Sequence, residues 1–215
     1  VLGRLIDERK ADGFILPRTR TRDPRIAFLR RYGVPFVLYG RTGDPEGCAW
    51  FDILGEDAVA EAVYRLHDLG HRRIGFLGGG VAFNFNRLRL AGYRCAVMGL
   101  GLGYDPALVA HGALTAGEGA AAARRLLAGP APPTALVCAT DMGAIGAYRA
   151  AAGLGLRIGS DLSLIGYDGI PEGQWADPPL TTFSVDNRTA GARLAALLIR
   201  RIRGEPPERL RETAH

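Results

Sequence analysis

Residues 69–93, LGHRRIGFLGGGVAFNFNRLRLAGY, contain the change from strand to helix that decides the fold. Residues 74–77 form a short apolar run that ends at the glycines 78–80, a pattern typical of a strand covered on both faces. A helix is predicted next, over residues 87–100, with arginines among its apolar positions. Because ligands of open parallel sheets bind beyond the carboxyl ends of the strands, we expect Arg89 close to a ligand site. A solvated arginine face of the helix is the alternative interpretation.

Short apolar runs and amphipathic segments alternate along the whole chain. Thr115 and Glu118 form a capping-box sequence that opens an alanine-rich helix, and Asp186 is placed to cap a long final helix. Strands are predicted at about 14–16, 35–39, 49–53, 74–77, 108–110, 135–138, 162–166 and 181–185, and helices at about 1–11, 24–32, 56–69, 87–100, 116–127, 141–152 and 187–203. This order predicts an α/β fold in which parallel sheets carry helices on both faces.

The composition is typical of a globular protein. Of the 215 residues, 47% are hydrophobic and 23% are charged, and no apolar run approaches the roughly 20 residues that span a bilayer. The first residues have no signal-peptide pattern. Cysteines occur at positions 48, 95 and 138, an odd number without CxxC spacing, which favours reduced thiols in the cytoplasm over disulfides or a zinc site.

The net charge of +5 does not by itself predict that these residues bind nucleic acid. The arginines are scattered over many predicted helices, and aromatic residues do not alternate with them as in a base-stacking surface. The glycines 78–80 match neither GxGxxG nor a P-loop, the four histidines have no metal spacing, and no catalytic triad can be chosen from position. We therefore expect no enzyme activity, no metal and no cofactor.

Five motifs, in order along the chain, resemble the effector-binding domain of LacI/GalR-family transcriptional regulators. They are LGHRRIGFLGGG (69–80), RLRLAGY (87–93), PTALVCATDMGAIGAYRA (133–150), DLSLIGYDGI (161–170) and PPLTTFSVD (178–186). Together they cover nearly the whole chain, which makes the resemblance far more specific than a single glycine motif. Periplasmic sugar-binding proteins share this fold, but the SLIGYD and PPLTT combination is more similar to the regulators.

The resemblance implies two Rossmann-like lobes with parallel sheets, of the periplasmic-binding-protein-like type I, with an effector bound between them. Residues 1–53 and 185–208 are expected to form the N-terminal lobe, and residues 54–184 the C-terminal lobe. The family's helix-turn-helix domain and the first strands of its N-terminal lobe have no counterpart in this sequence, and the usual last strand, after Glu212, is expected to be missing. The N-terminal lobe is thus expected to be incomplete and the DNA-binding domain absent from this chain.

The resemblance also assigns effector-binding roles to three residues of the C-terminal lobe. Arg89 falls at the start of the family's RLAG helix, Asp168 falls at the end of the IGYD strand, and Thr140 precedes the aspartate of the ATD motif. A guanidinium and a carboxylate supply the donors and acceptors that hold neighbouring hydroxyl groups, and each offsets the other's charge in a partly dry site. Thr140 and Asp141 can also cap the helix that ends at Ala152, and Asp141 is expected to cap it rather than contact a ligand.

Four residues just before Arg89 are further candidates. Phe83 and Phe85 offer apolar rings to the face of a sugar or base, with plain core packing as the alternative. Asn84 and Asn86, which alternate with them, are expected to add hydrogen bonds.

The N-terminal lobe contributes candidates at the end of the VLYG strand. Tyr39 and Arg41, together with Asp52, are expected to face the effector from that lobe. Some positions depart from the family's sugar-binding pattern, which argues against a galactoside-type pose; they are Gly40, Leu114 and Val185.

These features predict the ligand-sensing domain of a LacI-family repressor. Its effector is expected to be a small polar molecule, most simply a sugar, and it is expected to work as a cytoplasmic homodimer, with no membrane contact, on operator DNA held by a helix-turn-helix domain outside this chain. Trp175 and Ile170 are candidates for the dimer contact. A periplasmic sugar-binding protein of an ABC transporter is the alternative, and a nucleotide-dependent enzyme on the same sheet topology is a third interpretation.

Overall fold

The computed structural model describes residues 2–8 and 10–214. Its strands are β1 (Phe14–Leu16), β2 (Phe36–Tyr39), β3 (Ala49–Ile53), β4 (Ile74–Leu77), β5 (Val109–Ala110), β6 (Ala135–Cys138), β7 (Ser163–Asp168), β8 (Thr181–Ser184) and β9 (Arg211–Ala214). Its helices are α1 (Leu2–Asp7), α2 (Pro24–Arg31), α3 (Gly55–Asp68), α4 (Asn84–Gly99), α5 (Ala116–Leu127), α6 (Asp141–Ala152) and α7 (Asn187–Ile202). Val1 and Arg9, part of the helix predicted over residues 1–11, lie outside the described residues. The predicted α/β class is confirmed.

The chain divides into two compact units, each built on its own sheet. The first unit comprises the residues up to 54, residues 82–85 and the residues from 186 onward, and the second comprises 55–81 and 86–185. The sequence-based division placed neither 82–85 nor the residues after 208 in the first unit. In the described part of the chain, no helix has the length and apolar content needed to cross a membrane.

The first unit is a parallel sheet of strand order β1-β2-β3-β9 between two helices. Its strands alternate their side chains, since Phe36 and Leu38 pack in one cluster with α2 while Val37 packs in another with α7. Both clusters contain residues that are almost fully buried, such as Leu29 on α2 and Leu197 on α7. The apolar run of β2 therefore reflects burial on both faces, as expected for a parallel sheet.

The expectation that no strand follows Glu212 is wrong. β9 pairs in parallel with β3, in the register Trp50↔Arg211 to Ile53↔Ala214. Its sequence, RETA, lacks the alternation of apolar and polar residues that predicts a strand. Tertiary contacts stabilise β9 instead. Leu210, just before β9, is fully buried, and the Arg211 guanidinium lies 4.4 Å from the centre of the Trp50 ring.

The second unit is a parallel sheet of strand order β5-β4-β6-β7-β8. One face packs Ile74 and Phe76 against α3 and α4, and the other packs Leu136 and Cys138 against α5 and α6. With helices on both faces, the loops at the strand ends of this sheet can present polar groups together. The carboxyl ends therefore become the place to look for a site.

Helix starts follow the predicted caps in three cases. The capping box of Thr115 and Glu118 is present at α5, and the side chains of Thr140 and Asp186 accept backbone N–H groups at α6 and α7. The start of α4 was predicted too late, at residue 87. The helix begins at Asn84, whose backbone N–H finds an acceptor outside the helix, the carbonyl oxygen of Thr19.

His71 joins three strand starts of the second sheet. Its Nδ1 lies 2.9 Å from the Thr134 hydroxyl and its Nε2 lies 2.9 Å from the Ser163 hydroxyl. Partial burial lowers the pKa of this imidazole below its usual range, so the neutral ring is favoured in the folded protein. His71 therefore links the residues at the starts of β6 and β7 to the turn before β4.

Candidate functional site

Arg89 lies on α4 with its guanidinium placed over the carboxyl edge of the second sheet. Its Nη1 donates a hydrogen bond to the carbonyl oxygen of Ala139, directly after β6, and its Cζ lies 3.6 Å from the centre of the Tyr167 ring on β7. Gly55 makes room for it, because a Cβ on this glycine would lie 2.7 Å from Arg89 Nε. The side chain is only 12% exposed, so its direction is fixed by packing rather than by solvent.

Asp168 brings the opposite charge to the same place. Its Oδ1 lies 4.0 Å from Arg89 Nη1, and its side chain is 37% exposed. The predicted pair is therefore formed, with the cation more buried than the anion. The backbone of Asp168 has φ of 132°, a conformation that residues with a side chain rarely adopt and that costs about 1–3 kcal/mol.

Asp141 holds the turn after Asp168 in that conformation. Its Oδ2 accepts hydrogen bonds from the N–H groups of Gly169 at 2.8 Å and Ile170 at 2.9 Å, and its Oδ1 accepts one from the Thr182 hydroxyl at 2.6 Å. The carboxylate is fully buried. The expectation that Asp141 caps a helix is wrong, because Thr140 is the N-cap of α6 and Asp141 instead ties β7 and β8 to the first turn of that helix.

Thr140 has its hydroxyl engaged within the second unit. The hydroxyl accepts a hydrogen bond from the N–H of Gly143 at 3.1 Å and donates one to the carbonyl oxygen of Ala113 at 3.3 Å. One lone pair of the oxygen remains to accept a further donor. Thr140 follows β6 closely, so it belongs to the same strand-end row as Asp168.

The candidates in the first unit form a separate polar group at the ends of β2 and β3. Arg41 Nε lies 2.5 Å from Asp52 Oδ2, and the Tyr39 hydroxyl lies 3.2 Å from Asn187 Oδ1. Both side chains of the ion pair are partly exposed, at 26% for Arg41 and 14% for Asp52. The structure thus joins the two charged candidates that the sequence placed near each other.

Asn84 has a role within the first unit that the sequence did not reveal. Its side chain is fully buried, and its amide donates a hydrogen bond of 2.9 Å to the carbonyl oxygen of Arg41. The Thr19 hydroxyl donates to the same oxygen. Beside it, the half-buried rings of Phe83 and Phe85 stack with centres 5.7 Å apart. The two rings form an aromatic contact with an interplanar angle of 19°.

The two buried cysteines, Cys48 and Cys138, do not supply a reactive thiolate. All three cysteines are free, Cys48 and Cys138 are buried, and burial raises the pKa of both buried thiols. A thiol with a raised pKa stays protonated at neutral pH and is a poor nucleophile. The described residues of the second unit present a cation, an anion and a hydroxyl along one sheet edge, and such groups can bind a polar ligand.

Comparison with known proteins agrees with this arrangement. The family model described as "Periplasmic binding protein-like domain" matches residues 63–214. A regulatory protein of the LacI family from Chloroflexus aggregans is 34% identical over 99% of this chain and 76% of its own, with a TM-score of 0.88. The chain therefore belongs to the LacI family of regulatory proteins, within the periplasmic-binding-protein-like domains.

Relatives with known names are regulators. The HTH-type transcriptional regulator AglR of Rhizobium meliloti is 38% identical over 95% of this chain, and CelR of Thermobifida fusca is 34% identical over 98%. A solved CelR–cellobiose complex matches with a TM-score of 0.92 at 32% identity, over 99% of this chain and 65% of that one. The chain spans about three fifths of the length of the curated relatives, 59% of AglR and 62% of CelR.

Proposed function

We propose that this chain is the effector-binding part of a transcriptional repressor and that its effector is a sugar. The observation that carries the proposal is the Arg89–Asp168 pair, held 4.0 Å apart at the carboxyl edge of the second sheet. The relatives support it, since they are regulators rather than transport proteins or enzymes. The repressor performs no chemistry: it binds its effector and releases it unchanged.

The pair suits a ligand with several hydroxyl groups. The guanidinium offers donors in a planar fork and the carboxylate offers acceptors, so two neighbouring hydroxyls are held in one orientation. The stack on Tyr167 and the hydrogen bond to Ala139 leave the guanidinium little freedom to lose when a ligand binds. A cation that is already held in its binding conformation loses less conformational entropy when a ligand binds.

The remaining candidates take supporting roles in the proposal. Thr140 offers its remaining lone pair, and the stacked rings of Phe83 and Phe85 offer an apolar face for the C–H side of a sugar ring. Tyr39 and Arg41 add polar contacts from the first unit. Asn84 does not touch the effector in this proposal; it fixes the backbone of Arg41.

The regulator acts as a homodimer on operator DNA in the cytoplasm, through a helix-turn-helix domain outside these residues. Trp175 supports the dimer, because it is 87% exposed. A large aromatic side chain is seldom left in water on the surface of a monomer, and such residues often lie in protein contacts. Ile170 fits the contact less well than the sequence suggested, since it is half-buried and its N–H is bound to Asp141.

Replacing Trp175 by serine is expected to shift the protein from dimer to monomer, because the contact loses its aromatic anchor. Light scattering at micromolar concentration measures the change. Leu69→Ser is the control, since Leu69 is also strongly exposed, at 70%, and lies elsewhere, after α3. A wild-type monomer, or a Trp175→Ser protein that remains dimeric, would remove Trp175 from the dimer contact.

Calorimetric titration tests the effector class. Cellobiose, other neutral disaccharides, monosaccharides and nucleosides are titrated into the wild-type protein at millimolar concentration. Saturable binding of at least one neutral sugar is expected. Saturation by a nucleoside alone would replace the sugar with another effector class, and no saturation by any of them would contradict the proposal.

A further inference from the structure

Two shielded polar atoms converge on Gly78, the first residue of the glycine bend after β4. A Cβ on Gly78 would lie 2.7 Å from Asn86 Oδ1 and 2.8 Å from His111 Nδ1. Neither atom has a hydrogen-bond partner among the described residues, and both are closed to solvent. Asn86 is only 2% exposed. Burial of its Oδ1 therefore has a desolvation cost that no hydrogen bond among the described residues offsets.

We propose that Asn86 and His111 form a second hydroxyl-binding subsite for the sugar effector. This proposal rests on the proposed function and extends it to residues that the family motifs did not single out. A buried polar group without a partner is costly to the fold, so it is expected to persist where a ligand uses it.

The subsite lies in the same strand-end row as the Arg89–Asp168 pair. His111 directly follows β5 and Gly78 directly follows β4, while the Arg89 guanidinium reaches the carbonyl oxygen after β6. Asn86 is three residues before Arg89 on α4, which puts both side chains on one side of the helix. The polar side chains of His111, Asn86, Arg89 and Asp168 therefore lie along the carboxyl ends of β5, β4, β6 and β7.

A hydroxyl group matches the chemistry of the two atoms. It donates its hydrogen to Asn86 Oδ1, which only accepts, and its oxygen accepts the hydrogen of His111 Nδ1–H. The proposal thus requires the His111 tautomer with the proton on Nδ1. In a site closed to water, each of these hydrogen bonds is stronger than on an exposed surface.

The position in the row limits the shape of the effector. Neighbouring strands lie about 4.8 Å apart, so the ends of β5 and β6 are separated by roughly 10 Å. A ligand that reaches both the subsite and the Arg89 guanidinium carries hydroxyl groups on well-separated carbons. We therefore assign the subsite to a sugar of ring size or larger, rather than to a small diol.

The test compares binding and stability in Asn86→Leu and His111→Phe, which keep volume and shape but remove the polar atoms. The probes are cellobiose and any sugar that saturates the wild-type protein, measured by calorimetry, with thermal unfolding of the ligand-free proteins alongside. The expected result is about tenfold weaker sugar binding in each variant, with an unfolding temperature equal to or above that of the wild type. A merely structural pair would give the reverse: unchanged affinity and a lower unfolding temperature.

The other outcomes also decide the matter. Unchanged affinity at any stability removes the subsite while leaving the Arg89–Asp168 site intact. A high-resolution structure showing a direct hydrogen bond between the two side chains with sugar bound elsewhere also overturns it. Failure of every sugar to bind the wild-type protein overturns the proposed function and the subsite together, whereas sugar binding that neither variant weakens overturns the subsite alone.

Discussion

Replacing Arg89 by alanine is expected to weaken sugar binding by about 100-fold or more. The Arg89 guanidinium can donate several hydrogen bonds from one charged group, and each such bond is worth about 1.5–3 kcal/mol when ligand and protein are closed to water. Losing two of them corresponds to at least about 3 kcal/mol, or roughly two powers of ten in Kd. Calorimetry with a sugar that saturates the wild-type protein measures the change.

Two further variants show whether geometry or charge is responsible. Arg89→Lys keeps the charge but loses the planar fork and the stack over the Tyr167 ring, so it is expected to lose at least tenfold in affinity. Arg125→Ala, an exposed cation on α5, is the matched control and is expected to bind as the wild type does. Equal affinity of Arg89→Ala and the wild type for the same sugar would exclude Arg89 from the site.

The sequence predicted the strand-end site because chemistry and topology point the same way there. Arg89 and Asp168 follow recognisable strand and helix signals, and parallel topology brings the ends of β4, β6 and β7 to one edge. Local rules also placed the capping box at Thr115, since both partners lie within four residues of each other. Interactions between residues close together in the sequence can therefore be predicted from it.

The residues that the sequence misplaced depend on partners far along the chain. Asp141 resembles a helix cap from its position, yet its acceptors serve Gly169, Ile170 and Thr182, which are 28 to 41 residues away. β9 is a strand because its backbone pairs with β3 in the sheet, and not because its own residues favour a strand. His111 was missed for the same reason, since only folding brings it beside Asn86.

Replacing Asp141 by alanine is expected to lower the free energy of unfolding by about 3 kcal/mol or more. The substitution leaves the N–H groups of Gly169 and Ile170 without their acceptor in a partly buried site, at about 1–3 kcal/mol for each unsatisfied group, and leaves the Thr182 hydroxyl only the Phe183 carbonyl oxygen at 3.3 Å. Relaxation of the turn offsets part of that sum. Urea unfolding of the ligand-free protein measures the change.

The turn that Asp141 holds also sets the conformation of Asp168, so stability and binding are expected to fall together. The isosteric Asp141→Asn keeps one acceptor oxygen but points an amide N–H₂ at groups that also donate, and the strained φ of 132° at Asp168 loses part of its support. We therefore expect Asp141→Asn to weaken sugar binding although Asp141 touches no ligand. Asp161→Asn, which removes one partner of the exposed pair with Arg157, is the control and is expected to change neither property appreciably. An Asp141→Asn protein that is less stable but binds sugar as tightly as the wild type would show that the turn supports the fold alone and does not position Asp168 for the effector.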